Sequence, residues 1–298
     1  MAKSVVNYAR FSLMYSDEDE CRKKLFQMRW SNGFVCPHCG CTEYYLIEKR
    51  NRYQCKQCKK QISVTSGTIM HKTHLSLVTW FRAIYLVSRD KRAYSALRIS
   101  EELNISGKAA WFLLHRLRKA MGSELDRKML SGIVEIDDVK FGRKSDIENR
   151  PRGIGKQLAM VGLSVDPEGH PLFIRIRLVK NRSGKTIGDF AKNSICAGSL
   201  IQTNELKSYR ESLKNKHLGE YDLANSNSEA LRWLKVITTN AKHALIGTFH
   251  GLDEKYLQSY FDEFCYRFNF RKYRETMFED LMLSAVQSKP CTYAELKI

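Results

Sequence analysis

Four cysteines in this chain have the type and spacing to hold a metal. Cys36-x-x-Cys39 is followed, after fifteen intervening residues, by Cys55-x-x-Cys58. That is the spacing of a zinc ribbon. Each pair sits on a tight knuckle that aims two thiolates at one point, and two knuckles complete a closed tetrahedral shell. The expectation is one structural Zn2+ on Cys36, Cys39, Cys55 and Cys58, with disulfide pairing as the competing use. Phe34-Val35 before the first pair, Gly40 after it and Arg52-Tyr53-Gln54 ahead of the second fit such knuckles; Cys41 reads as a spectator and His38 as a solvated side chain. A second chemistry lies in Ile133-Val134-Glu135-Ile136-Asp137-Asp138, an apolar strand carrying acids. Buried carboxylates are costly unless paired or bound to a cation, and hard oxygen ligands suit Mg2+ or Mn2+. Two such ions about 4 Å apart activate a water or a 3′-hydroxyl and stabilise the leaving oxygen in phosphodiester transfer. Adjacent strand residues point to opposite faces, so one aspartate of the two faces the site. Asp137 is the expected one, because it shares a face with Glu135 while Val134 and Ile136 share the other. The alternative is an edge strand with solvated acids.

The elements that must position these groups are legible in outline. The chain has 298 residues and a formal net charge of +18, which allows two or three domains and calls for a polyanionic partner, most often nucleic acid. Residues 51–100 hold ten Lys or Arg against one acid, Asp90. Nine cysteines and no apolar run of eighteen residues predict a reducing, cytoplasmic setting with no membrane span. A helix is expected over 17–30, capped by Asp17, then the ribbon, with strands near 43–48 and 51–54 and a β-rich closing stretch over 61–70. Helical periodicity follows over 75–88, 95–103 and from Ser106 to about Met121, with Asn104-Ile105-Ser106 as a short turn: a helix-turn-helix. Its last helix carries Lys108, His115, Arg116, Arg118 and Lys119, suited to a DNA groove and its phosphates, against the alternative of a three-helix core with a charged outer face. After a charged linker near 122–130 come strands over 133–138, 157–165 and 171–179 with a turn at Asp166-Pro167-Glu168-Gly169, a helix over 185–194 and a strand over 200–203. Three strands in hairpin order, then a helix and another strand, open a ribonuclease H-like mixed sheet. An amphipathic helix over 252–272 buries Tyr256, Leu257, Tyr260, Phe261, Phe264, Cys265 and Phe268. The expected architecture is multidomain, α+β and α/β: helix and zinc ribbon (1–70), helix-turn-helix (71–125), ribonuclease H-like domain (130–275) and a C-terminal tail (276–298).

With those residues in view, the chain resembles bacterial insertion-sequence transposases of the zinc-ribbon, helix-turn-helix, ribonuclease H-like type, the DDE/DDNK group. The similarity runs nearly end to end. It is carried by Arg29-Trp30 with Gly33-Phe34-Val35-Cys36-Pro37, Gly67-Thr68-Ile69, Trp80-Phe81, Ala109-Ala110-Trp111 with Leu114-His115-Arg116-Leu117-Arg118, Val134–Asp138, Gly247-Thr248-Phe249-His250-Gly251 and Asp262–Asn269. The resemblance implies a catalytic set of Asp, Asp, Asn or Glu, and Lys. These map to Asp137, to Asn204 in Thr203-Asn204-Glu205, and to Asn240 and Lys242 in Thr239-Asn240-Ala241-Lys242. Asn204 departs from the pattern, which has Asp after Thr; it keeps the shape and loses the anionic oxygen. The resemblance further implies binding of double-stranded DNA at element terminal inverted repeats and target sites, a homo-oligomer on DNA, a nucleoid-associated location, and metal-dependent strand cleavage and transfer. The alternative is a catalytically inactive, transposase-derived DNA-binding protein; a zinc-ribbon transcription regulator fits the strand-rich 130–275 segment less well.

Overall fold

The computed structural model describes residues 7–90, 92–142, 156–203, 222–225, 231–249 and 252–297. It divides into two compact units, Met1–Asp90 with Ala96–Ala120 and Tyr273–Ile298, and Lys91–Ser95 with Met121–Lys272.

In the first unit, α1 (Tyr8–Met14) is capped by Asn7 and α2 (Glu18–Arg29) by Asp17, whose carboxylate accepts from the Asp19 and Glu20 amides. Glu18, Asp19 and Glu20 place negative charge at the positive end of the α2 dipole. The ribbon is a three-stranded antiparallel sheet, β1 (Tyr44–Ile47), β2 (Arg52–Cys55) and β3 (Gln61–Ile62). So small a sheet has little core of its own, and Phe26, Trp30, Phe34, Tyr44 and Tyr53 supply one: their rings meet with centroids 4.9–6.3 Å apart. The closing strand is shorter than the 61–70 alternation predicts. After Ile62 the hydroxyls satisfy the backbone locally: the Ser63 amide donates to Ser66 Oγ at 3.1 Å and Thr68 Oγ1 donates to the Thr65 carbonyl at 2.8 Å, and side-chain bonds of this kind compete with a ladder.

Helices α3 (Leu77–Arg89), α4 (Ala96–Leu103) and α5 (Gly107–Arg127) follow, with Asn104 left-handed at φ 50° in the turn between α4 and α5. Ala110, Leu113, Leu114, Leu117, Ala120 and Met121 form the buried side of α5. The helix runs on to Arg127, through the stretch expected as a linker. Gly122 lies inside it, where a Cβ would come within 2.7 Å of an Asp262 carboxylate oxygen, so a larger residue would push that side chain aside. The expected C-terminal tail is also structured. Helix α9 (Met277–Gln287) packs against α2 and α3 through Met277, Phe278, Leu281, Met282 and Ala285, all at most 4% exposed, and a short α10 (Tyr293–Lys297) follows.

The second unit is built on a five-stranded sheet of order β6-β5-β4-β7-β8: β4 (Ile133–Phe141), β5 (Gln157–Val165), β6 (Pro171–Leu178), β7 (Leu200–Thr203) and β8 (Asp222–Asn225). The first three pair antiparallel, while β7 and β8 join parallel to β4, the mixed arrangement that the strand order predicts. Helix α6 (Gly184–Ser194) covers one face, where Ile187, Phe190 and Ala191 pack on Val134, Ile136 and Ile201. Helix α7 (Arg232–Thr248), not anticipated, packs on β4 with Leu234, Ile237, Thr238, Ala241 and Leu245 buried. Helix α8 (Leu257–Asn269) lies along β6 and buries a face turned from the expected one: Leu257, Tyr260, Phe261 and Cys265 are inside as expected, Tyr256, Phe264 and Phe268 are only part-buried, and Tyr266 and Glu263 are inside instead, Glu263 paired to Arg267 at 2.8 Å.

Edge strand β6 would leave unpaired amides and carbonyls, and α8 answers them from side chains. Asn269 accepts from the Ile174 amide at 2.7 Å and donates to its carbonyl at 3.0 Å; Gln258 does the same for the Leu178 amide and the Ile176 carbonyl, at 2.8 and 3.0 Å. Asn269→Ala removes two buried bonds and strands both backbone groups, so it is expected to cost about 2–4 kcal/mol, read as a lower urea midpoint. A change within about 0.5 kcal/mol would mean that the edge is satisfied without it.

Candidate functional site

The four cysteines meet. The sulfurs of Cys36 and Cys58 are 3.6 Å apart and those of Cys39 and Cys55 3.5 Å, and all four lie within 4.8 Å of one another. A tetrahedral shell with Zn–S of about 2.3 Å puts its sulfurs about 3.8 Å apart, so the set fits zinc without rearrangement. Its protonation fits as well. The Cys58 backbone N–H, aimed at Cys55, pulls that thiol down to about 6 against burial. Cys39, which the Cys41 backbone N–H lowers, is nonetheless pushed up to about 12 by burial and by the sulfurs of Cys55, Cys58 and Cys36. Four close thiolates need a cation to coexist, and a dication supplies it. Cys41 stays outside the shell, its sulfur 3.4 Å from the Glu43 amide, and His38 Nδ1 lies 3.3 Å from Lys60 Nζ.

On β4 the two aspartates separate by face, as strand geometry requires. Asp138 turns to the α6 side with Val134 and Ile136; its carboxylate is 4% exposed and pairs with Arg182 at 2.6 Å. Glu135, Asp137 and Phe141 turn to the other side. Lys242 on α7 holds its ammonium 5.6 Å from the Phe141 ring centroid, beside the Asp137 face. Asp137 is half-buried and accepts the Asp138 amide at 2.9 Å. Asn240 is exposed, in the middle of α7. Glu135 is 3% exposed, and one carboxylate oxygen has no hydrogen-bond partner. Burial pushes its carboxyl up to about 7, opposed by the Leu234 backbone N–H in the first turn of α7. Sequence reasoning used Glu135 only to choose a face; the signal for a buried acid was its place between Val134 and Ile136.

Asn204 and Glu205 lie outside the described residues, as does Glu229. Other acids are engaged or elsewhere: Glu263 pairs with Arg267, Asp253 caps the turn before α8, and Asp189 sits on α6, across the sheet. Among the described residues, Asp137 belongs to no cluster of three or more His, Cys, Asp or Glu ligand atoms. A single carboxylate does not balance two dications, so these residues do not by themselves complete a Mg2+ or Mn2+ site.

The expected DNA-contacting residues divide. Lys108 is exposed. Arg116 and Arg118, expected on the outer face of the last helix, are 6% and 2% exposed. Arg116 donates to the Cys291 and His71 carbonyls, both at 3.2 Å, and Lys119 to the Pro290 carbonyl at 3.2 Å. For Arg116 and Lys119 the correction has a physical cause: the C-terminal segment, taken for a tail, lies over that side of α5.

Known proteins match both halves of this picture. A transposase zinc-ribbon domain matches residues 16–61, and an ISXO2-like transposase domain matches residues 129–269. The chain carries the domains of an insertion-sequence transposase with a zinc ribbon. A protein described as an uncharacterized protein in transposable element ISH50, from Halobacterium salinarum, is 30% identical over 148 residues, 47% of this chain. The chain spans about half of that relative's length (49%). The transposase domain begins just ahead of β4 and ends at Asn269, so it takes in Asp137, Asn240, Lys242 and the α8 side chains along β6. No helix among the described residues is long and apolar enough to cross a membrane.

Proposed function

We propose that this transposase acts on double-stranded DNA, holding element ends and target, and that strand cleavage and transfer take place on the α7 side of β4. The observation that carries this reading is the facing of the central strand: Asp137 and Lys242 lie toward one another's side of the sheet, while Asp138 is spent on Arg182. On this reading Asp137 is the anionic group that orients a water or a 3′-hydroxyl, and Lys242 offers positive charge to a phosphodiester oxygen as charge builds on it. Asn240 supplies an amide that hydrogen-bonds the strand or a ligand. Mg2+ or Mn2+, when bound, supplies Lewis-acid charge; Asn204, in place of a second aspartate, leaves that shell short of an anion and the chemistry slow. A net charge of +18 favours DNA as substrate and a salt-dependent affinity. Pairing of two ends calls for a homo-oligomer on DNA.

The facing is tested by comparing Asp137→Ala with Asp138→Ala, each made in the more active Asn204→Asp background, in joining of pre-cut element ends with Mn2+. Asp137→Ala is expected to remove all joining, and Asp138→Ala to lower it by about tenfold or less, through the freed Arg182. The reverse order would place the reacting strand on the α6 side.

A further inference from the structure

The side of α5 that faces away from its own core is a single stripe, Lys108, Trp111, Phe112, His115, Arg116 and Lys119, spaced three and four apart. In a helix-turn-helix this is the side a DNA groove would meet. Here residues 290–293 answer it group by group. Tyr293 takes the Lys108 ammonium over its ring at 5.0 Å and meets Trp111 and Phe112 edge-on, with centroids 5.9 and 5.6 Å away. The Pro290 carbonyl accepts from Lys119 and the Cys291 carbonyl from Arg116. Carbonyl oxygens thus occupy the donor directions that phosphate oxygens would use. We propose that the segment after Ser288 is a built-in competitor for the DNA-facing side of α5, which must lift for that side to engage DNA.

The attachment is of a kind that can open. Helix α10 has five residues, too few to be stable unaided. It is held in shape by a local capping box, in which the Thr292 amide donates to Glu295 at 2.9 Å and the Glu295 amide to Thr292 Oγ1 at 3.2 Å. The segment meets α5 through the Tyr293 ring and the Pro290 and Cys291 carbonyls, with Cys291 its buried side chain, whereas α9 just before it is anchored by five core side chains. The hinge between them is Ser288-Lys289-Pro290. Lifting residues 289–297 would release Lys108 and Lys119 and bare Trp111 and Phe112, while Arg116 keeps the His71 carbonyl.

This inference rests on the proposal that the chain binds DNA, and the test separates the two. Affinity for a short duplex of mixed sequence is measured for the full chain, for a chain ending at Ser288, and for Tyr293→Ala, which keeps the segment should the shortened chain fail to fold. If the covered state outweighs the open one by about tenfold, shortening tightens binding about tenfold, Tyr293→Ala gives part of that gain, and a peptide of residues 288–298 added in trans reverses it. Adding Lys108→Ala to the shortened chain should cancel most of the gain. Equal affinity of the folded variants and the full chain overturns the masking role. So does weaker binding, which would make the segment part of the DNA surface, and so does a gain that Lys108→Ala leaves intact. Absence of DNA binding in every form would instead overturn the functional reading beneath it.

Discussion

Stripping zinc is expected to unfold the ribbon and leave the second unit's sheet intact. β1, β2 and β3 comprise four, four and two residues, and a sheet of that size is not independently stable in water. Its remaining support is the ring cluster of Phe26, Trp30, Phe34, Tyr44 and Tyr53. A structural zinc in a module this small contributes on the order of 10 kcal/mol of folding free energy, more than those rings supply beyond their burial. Purified protein should hold about one zinc per chain. Cys55→Ser should lose it, because Cys55 is fully buried among the other sulfurs and the Cys58 backbone N–H holds its thiol down at about 6. Amide exchange should then accelerate across 36–62 and stay slow on β4 and β5. Cys41→Ser, outside the shell, should change neither. Unaltered zinc content in Cys55→Ser would defeat the four-sulfur assignment.

What could be seen without the fold divides along a physical line. Metal-ligand spacing is local and has few competing uses, so Cys36, Cys39, Cys55 and Cys58 announce their site. Strand alternation places Asp137 and Asp138 on opposite faces, and the fold returns that separation, with Arg182 as the unforeseen partner of Asp138. Helix α7 escaped notice because Thr238, Thr239 and Asn240 are weak helix formers; packing of Leu234, Ile237, Ala241 and Leu245 on β4 overrides them. Arg116 and Arg118 misled for another reason. Their periodicity marks them as the outer side of α5, but both are buried, and Arg116 is covered by a segment 175 positions further along the chain; no local pattern carries such information. The apolar run of α9, Met277, Phe278, Leu281, Met282 and Ala285, was the available sign that the C-terminus folds back.

The largest kinetic effect is expected from Asn204→Asp. Asparagine presents one neutral oxygen where aspartate presents an anion, and two-cation phosphodiester chemistry needs anionic ligands to offset the charge. With Asn240 also neutral, Asp137 is the sole carboxylate of the mapped set. A loss of about 4 kcal/mol of transition-state stabilisation lowers a rate about a thousandfold. The unaltered chain should therefore join pre-cut element ends slowly or not at all with Mg2+ or Mn2+, and Asn204→Asp should raise joining by up to that factor. Asp137→Ala in the Asn204→Asp background should abolish it, since the restored acid would have no partner on β4. Lys242→Ala should reduce it while DNA affinity is retained, if the ammonium serves the reacting phosphodiester. Full activity in the unaltered chain, with no response to Asn204→Asp, would mean that the second anion comes from another acid. Glu205 is then the first to replace, since it follows Asn204 directly after β7, the strand that pairs with β4.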